Sequence, residues 1–374
     1  MSGDWQRIFV STSSPTGAHA SVGYKPCQGL YYEPKGKKAK TALIATHYNV
    51  DFSEHYMGPY LAARGYGFLG WNTRFRGNEA FFLLEHALVD IGAGVRWLTE
   101  VAQVDQIVIL GNSGGGSLMG AYQSQARGVT MAATPRLKLP PALDDLQPAD
   151  LYISLCAHLG RPEVLTAWFD PSVTDEMDPT SIDPELNMYD EAIGPPYAQE
   201  FIARYRAAQQ LRNNNITDWC HTELTRLESL GMFDRAFNVY RTWADLRFMD
   251  ANIDPSKRRE KWCYAGDPKR ANFGPRGIGL TNSLRTWLSM WSLTDSYCGG
   301  TPHLNRIDVP ALVVQSTSDT GVFPSDAKAI YEALASVDKT LEMVTGDHYL
   351  EIPDSARDDV ADLIVGWLQD HNAV

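Results

Sequence analysis

Hydrophobic positions along this chain follow two alternating rhythms. Apolar runs at 41–46, 66–71, 106–110 and 151–156 predict strands buried on both faces. Helical spacing separates them. Residues 53–64 end at Gly65, a helix stop, and 79–101 set Phe82, His86, Val89, Ala93 and Trp97 at steps of three and four. A third helix is expected from Gly114 to about Ala126, and the segments 7–11 and 28–32 predict a leading antiparallel hairpin.

The alternation returns after residue 305, with strands at 311–315 and 339–344 and helices at 324–334 and 355–368. Strands alternating with helices imply an α/β protein, with a mostly parallel sheet flanked by helices. The middle breaks this rhythm. It opens on a polar stretch carrying Asp170-Pro171, Asp178-Pro179 and Asp183-Pro184, which reads as loop. Helical patterns follow, one through Ile216, Cys220, Leu224 and Leu227, another through Phe233, Phe237, Tyr240 and Trp243, and a last one over 280–293. The expected organisation is a core built from 1–156 and 306–374, with a mainly helical cap inserted at 157–305. Six tryptophans, at 168, 219, 243, 262, 287 and 291, fall in that insertion, enough for a small core of its own with one or two rings left to face a pocket.

Composition narrows the function classes. Asp and Glu number 45 against 33 Lys and Arg, and a net charge of −12 repels phosphate backbones and anionic lipid. A small-molecule substrate is therefore expected rather than nucleic acid or a membrane, while a homo-oligomer stays open. No apolar run reaches the roughly 18 residues of a membrane span. Five scattered cysteines include no C-x-x-C pair, and the first residues lack a basic-then-apolar leader, so a cytoplasmic protein with reduced thiols is expected.

The strongest local signal is Ile107-Val108-Ile109-Leu110-Gly111-Asn112-Ser113-Gly114-Gly115-Gly116-Ser117. A strand enters a small-x-Ser-x-small turn and a helix leaves it, the pattern that lifts a serine hydroxyl above the carboxyl end of a sheet. A phosphate loop would need a lysine after the glycines, and a dinucleotide turn would need glycine where Met119 stands. A serine becomes a nucleophile only beside a base. Of nine histidines, His348 lies in a short loop, Gly346-Asp347-His348-Tyr349, after a late strand. A base needs a carboxylate to hold its tautomer. Asp319, in the turn after 311–315, suits that role better than Asp347, whose side chain should point away from its neighbour, or Asp326, which belongs to a helix start.

Nucleophile, acid and histidine in the order Ser113, Asp319, His348 resemble the α/β-hydrolase superfamily over roughly 28–157 and 306–372, with the insertion where that family carries a cap. The resemblance implies an α/β-hydrolase fold and acyl transfer at Ser113. It also implies an oxyanion hole from the amides of Gly114 and of Tyr48, which stands where the family often has glycine after a histidine. The departure leaves the Tyr48 ring free to line the pocket. His47 in that loop and Arg74 are candidate substrate-pocket residues, His47 read better as a loop brace than as a chemical group, and Arg74 better as a tie between loops than as a substrate contact. With no H-E-x-x-H or clustered carboxylates, no metal and no cofactor are expected. A carboxylic ester or lactone on a bulky or apolar molecule is the expected substrate. Amide or carbon–carbon bond cleavage by the same residues, and a non-catalytic ligand-binding role, remain alternatives.

Overall fold

The computed structural model describes residues 4–16 and 25–373. Strands β1 (Trp5–Thr12), β2 (Cys27–Pro34), β3 (Thr41–Ala45), β4 (Gly67–Asn72), β5 (Gln106–Ser113) and β6 (Leu151–Ala157) form one sheet. Two short strands, β7 (Ala236–Asn238) and β8 (Thr281–Ser283), pair apart from it, and β9 (Ala311–Ser316) and β10 (Lys339–Val344) complete it. The order across the eight strands is β1-β2-β4-β3-β5-β6-β9-β10. The hairpin β1–β2 and the pair β2–β4 are antiparallel, and every other pairing in this sheet is parallel.

The central strands are apolar on both faces because both faces are covered. In β5, Ile107 and Ile109 enter one core with Leu118 of the helix Gly115–Ala126 and Leu88 of the helix Leu84–Trp97. Val108 and Leu110 point the other way, into a core with Leu61, Val360 and Ile364. The latter two belong to the closing helix Ala356–Asp370. Consecutive side chains of a strand face opposite sides, so a continuous apolar run is what a two-sided sheet requires.

Two expected helices shrink. The segment 53–64 is helical only over Gly58–Ala62, and 79–101 divides into a turn at Glu79–Phe81, the helix Leu84–Trp97 and a wide last turn. Between β6 and β9, which are neighbours in the sheet, the chain leaves for residues 158–310. This insertion is less helical than its periodicity predicts. It holds the helices Arg161–Trp168 and Gln199–Ser229, but Phe237 lies in β7, and 280–293 becomes β8 followed by short turns. The aromatic residues at 233, 237, 240 and 243 do not share one buried face: Phe233 is exposed, Phe237 and Tyr240 are half-buried and Trp243 is buried. No helix among the described residues is long and apolar enough to cross a membrane. All five cysteines are buried and unpaired.

Candidate active site

Ser113 ends β5 with φ +52°, the left-handed conformation a sharp strand-to-helix turn imposes on its central residue. The turn has no room for side chains. A Cβ on Gly111 would meet the Gly116 Cα at 2.8 Å, and one on Gly115 would lie 2.2 Å from the Thr46 carbonyl oxygen. The second contact also shows how tightly the loop after β3 presses on the turn.

The site gathers at the carboxyl edge of the sheet. His47 follows β3, Ser113 ends β5, His158 follows β6, Asp319 follows β9 and His348 follows β10. Strand order reverses about β3, with β4 on one side and β5 on the other, and such a switch point opens a crevice. Ser113 Oγ lies 3.1 Å from His348 Nε2, and His348 Nδ1 donates to Asp319 Oδ2 at 2.8 Å. A carboxylate only accepts, so this bond fixes the proton on Nδ1 and leaves Nε2 as an acceptor toward the serine. The other Asp319 oxygen accepts from the amides of Gly321 and Val322 at 2.8 and 2.9 Å, which locks the carboxylate. Asp347 instead accepts from the Glu351 amide, and Asp326 from that of Phe323 at its helix start. Burial disfavours the His348 imidazolium, yet the charge and hydrogen bond of Asp319, with Asp347 nearby, outweigh it and raise the pKa above its ordinary value.

The remaining predicted residues divide. His47 accepts from the amides of Asn49 and Val50 at Nδ1, bracing its loop, and turns Nε2 toward Gly114. Tyr48 is fully buried, with its hydroxyl 2.9 Å from Ser117 Oγ, so its ring packs on the helix behind the turn instead of lining an open pocket. Arg74 does not join the site: its guanidinium grips Asp90 at 2.7 and 2.9 Å and bonds Ser14 and Thr16, tying the start of the chain to the helix Leu84–Trp97. This ion pair is buried, and the substrate contact considered for Arg74 gives way to the loop tie.

Three side chains at the site escaped sequence reasoning. Tyr264, from the insertion, stacks on His348 with ring centroids 5.5 Å apart and planes 11° from parallel. His158 is buried with Trp168 edge-on at 5.6 Å. Arg161 is buried against the turn itself. His158 and Arg161 follow a buried strand at its carboxyl end, the same positional signal that marks Asp319 and His348. Tyr264 has no such signal. The tryptophans mostly form a core: Trp168 and Trp243 stack at 4.9 Å, and Trp287 and Trp291 are fully buried. A cavity of about 700 Å³ lies elsewhere in the insertion, beside Trp219 and Phe237, and none of Ser113, Asp319 and His348 lines it.

Sheet order, two covered faces and a serine at the strand-to-helix turn define the class: the chain has the α/β-hydrolase fold. No protein-family model and no curated protein sequence matches it. Among solved structures it is similar to DcsB in complex with a substrate analogue, at 11% identity and a TM-score of 0.52 over 98% of this chain and 99% of that one. It is likewise similar to the α/β hydrolase GrgF from Penicillium sp. sh18, at 12% identity and a TM-score of 0.51 over 97% of both chains.

Proposed function

We propose that this chain is a serine hydrolase that cleaves a carboxylic ester or lactone through an acyl-enzyme, without a metal. The observation that carries this reading is the unbroken hydrogen-bonded series from Ser113 through His348 to Asp319 at the end of β5. His348 takes the serine proton as Oγ attacks the carbonyl, and Asp319 stabilises the imidazolium that forms. The amides of Gly114 and Tyr48 hold the oxyanion, at the start of the helix Gly115–Ala126 where the helix dipole favours negative charge. His348 then returns its proton to the leaving alcohol, and a water activated by the same imidazole releases the acid. In this reading the insertion is a cap over the site, with Tyr264 as its contact to the base. The five unpaired cysteines suit a reducing compartment such as the cytoplasm.

The test is chemical. A fluorophosphonate should label Ser113 alone, and Ser113→Ala should lose both labelling and turnover of activated esters, by about 10³–10⁶-fold in kcat. Labelling of another serine, or near-normal turnover by the alanine variant, removes Ser113 from the mechanism.

A further inference from the structure

The buried arginines of this protein offer an internal comparison. Arg241 places two nitrogens on Asp170 and a third on the Ser181 carbonyl. Arg212 holds both oxygens of Glu176 and two backbone carbonyls. Arg258 is surrounded by the carbonyls of Arg247, Asp250, Asp254 and Ile253. Each nearly exhausts its five N–H donors on protein acceptors, as a desolvated guanidinium must.

Arg161 differs. It is 3% exposed, yet the one hydrogen bond its side chain makes among the described residues is from Nη2 to Glu79, at 3.3 Å. Its Nε is buried with no acceptor. Its plane is held by the rings of Tyr48 and Trp291, at 4.5 and 5.0 Å, so the position is fixed although the donors are not used. Nη1 faces the serine turn: a carbon added to Gly114 would lie 2.8 Å from it and 2.6 Å from His47 Nε2. His47 presents a second donor there. Its Nδ1 accepts from two amides, and burial with the neighbouring Arg161 charge keeps the ring neutral, which puts the proton on Nε2. Two built, unfilled donors, one of them a permanent cation, therefore converge beside the nucleophile.

We infer that Arg161 and His47 form an anion subsite that takes a carboxylate of the substrate, a few bonds from the scissile carbonyl. This deepens the hydrolase reading and rests on it. The oxyanion is transient and has amide donors of its own, whereas a permanent, desolvated charge calls for an acceptor present in the ground state. Glu79 neutralises Arg161 but bonds only Nη2, leaving Nη1, the nitrogen that faces the serine turn, to share a carboxylate with His47 Nε2, one oxygen on each. The favoured substrates are then half-esters or lactones bearing a free acid.

The experiment compares the phenyl half-esters of succinic and glutaric acid with the corresponding phenyl methyl diesters. Wild type should favour the acids by about 10–100-fold in kcat/KM, the size of one charge-assisted contact. Arg161→Gln should bring the ratio near one, and Arg161→Lys should keep part of it. Because a lone Glu79 could unfold the first variant, Glu79→Gln/Arg161→Gln repeats the measurement with the pair removed. No preference in wild type, or a preference that survives in either folded glutamine variant, overturns the subsite. Equal loss on acids and diesters in Arg161→Gln also overturns it and assigns the guanidinium to the oxyanion. If neither ester type is hydrolysed and Ser113 takes no fluorophosphonate, the hydrolase reading itself falls; a labelled Ser113 that turns over only diesters removes the subsite alone.

Discussion

Asp319 and Asp347 stand at comparable distances in sequence from the late strands, and only their hydrogen bonds separate them. With one oxygen locked by two amides, Asp319 presents the other to His348, while Asp347 is occupied by the Glu351 amide. Asp319→Asn is expected to lower kcat by roughly 10³–10⁴-fold, because an amide holds the wrong imidazole tautomer. Asp347→Asn should do far less; the reverse order would make Asp347 the acid. The same contacts set a pH dependence. Under the hydrolase reading His348, as a base, must be neutral, and its pKa is raised, so kcat/KM should fall as pH drops through a value above the ordinary 6.5. Removing the Asp319 charge should move that limb to lower pH. A limb that stays put in Asp319→Asn would mean that another group titrates. These three residues were legible because chain order and strand ends mark them. Arg161 obeys the same rule after β6, but there the chain turns into a polar, proline-rich insertion that reads as loop and hides it.

At the scale of elements, legibility follows burial symmetry. Strands β3, β5, β6 and β9 were expected within a few residues of their limits, because apolar runs covered on both sides have no competing explanation; the edge strand β10, half-buried and of mixed polarity, was expected at its observed limits. The insertion was harder. Its aromatics serve several small clusters, so spacing alone could not separate the helix Gln199–Ser229 from the extended segment around β7. No periodicity announces Tyr264, since its contact with His348 joins elements with no local relation in the chain. Under the hydrolase reading, that ring forms part of the pocket wall. A ring-sized acyl group burying ~100 Å² gains roughly 2–3 kcal/mol, so ring-bearing esters should exceed acetates in kcat/KM. Tyr264→Ala should raise KM for the large esters and spare acetate. A flat profile across acyl size would show that the insertion does not select by apolar contact.

For the molecule as a whole, the insertion adds buried ion pairs to its own apolar clusters. Asp170 and Arg241, both essentially unexposed, meet at 2.6 Å, and Asn272 donates to the same carboxylate oxygen. Asp170→Asn would leave Arg241 buried without its counter-charge, a loss of about 3–5 kcal/mol. Urea denaturation followed by tryptophan fluorescence should show an earlier transition for that variant, and an unchanged midpoint would mean that water or a rearranged partner replaces the carboxylate. Contacts to the core include polar ones beside the apolar packing of residues such as Phe248 on Phe323: Arg247 reaches Asp326 at 3.4 Å, Asp254 bonds Ser325, and the Lys257 amide donates to the Thr317 carbonyl at 2.8 Å.

Because β6 and β9 are neighbours in the sheet yet separated by residues 158–310, the order of synthesis leaves β6 exposed. On a ribosome adding about 5–20 residues per second, its free edge waits roughly 8–30 s for a partner. Throughout that interval a mostly apolar strand, Leu151–Ala157, presents unpaired backbone groups to any neighbouring chain. The nascent protein is therefore most vulnerable to misassembly halfway through its own translation, and whatever shields that edge, whether the emerging insertion or a chaperone, governs how much of the finished fold is obtained.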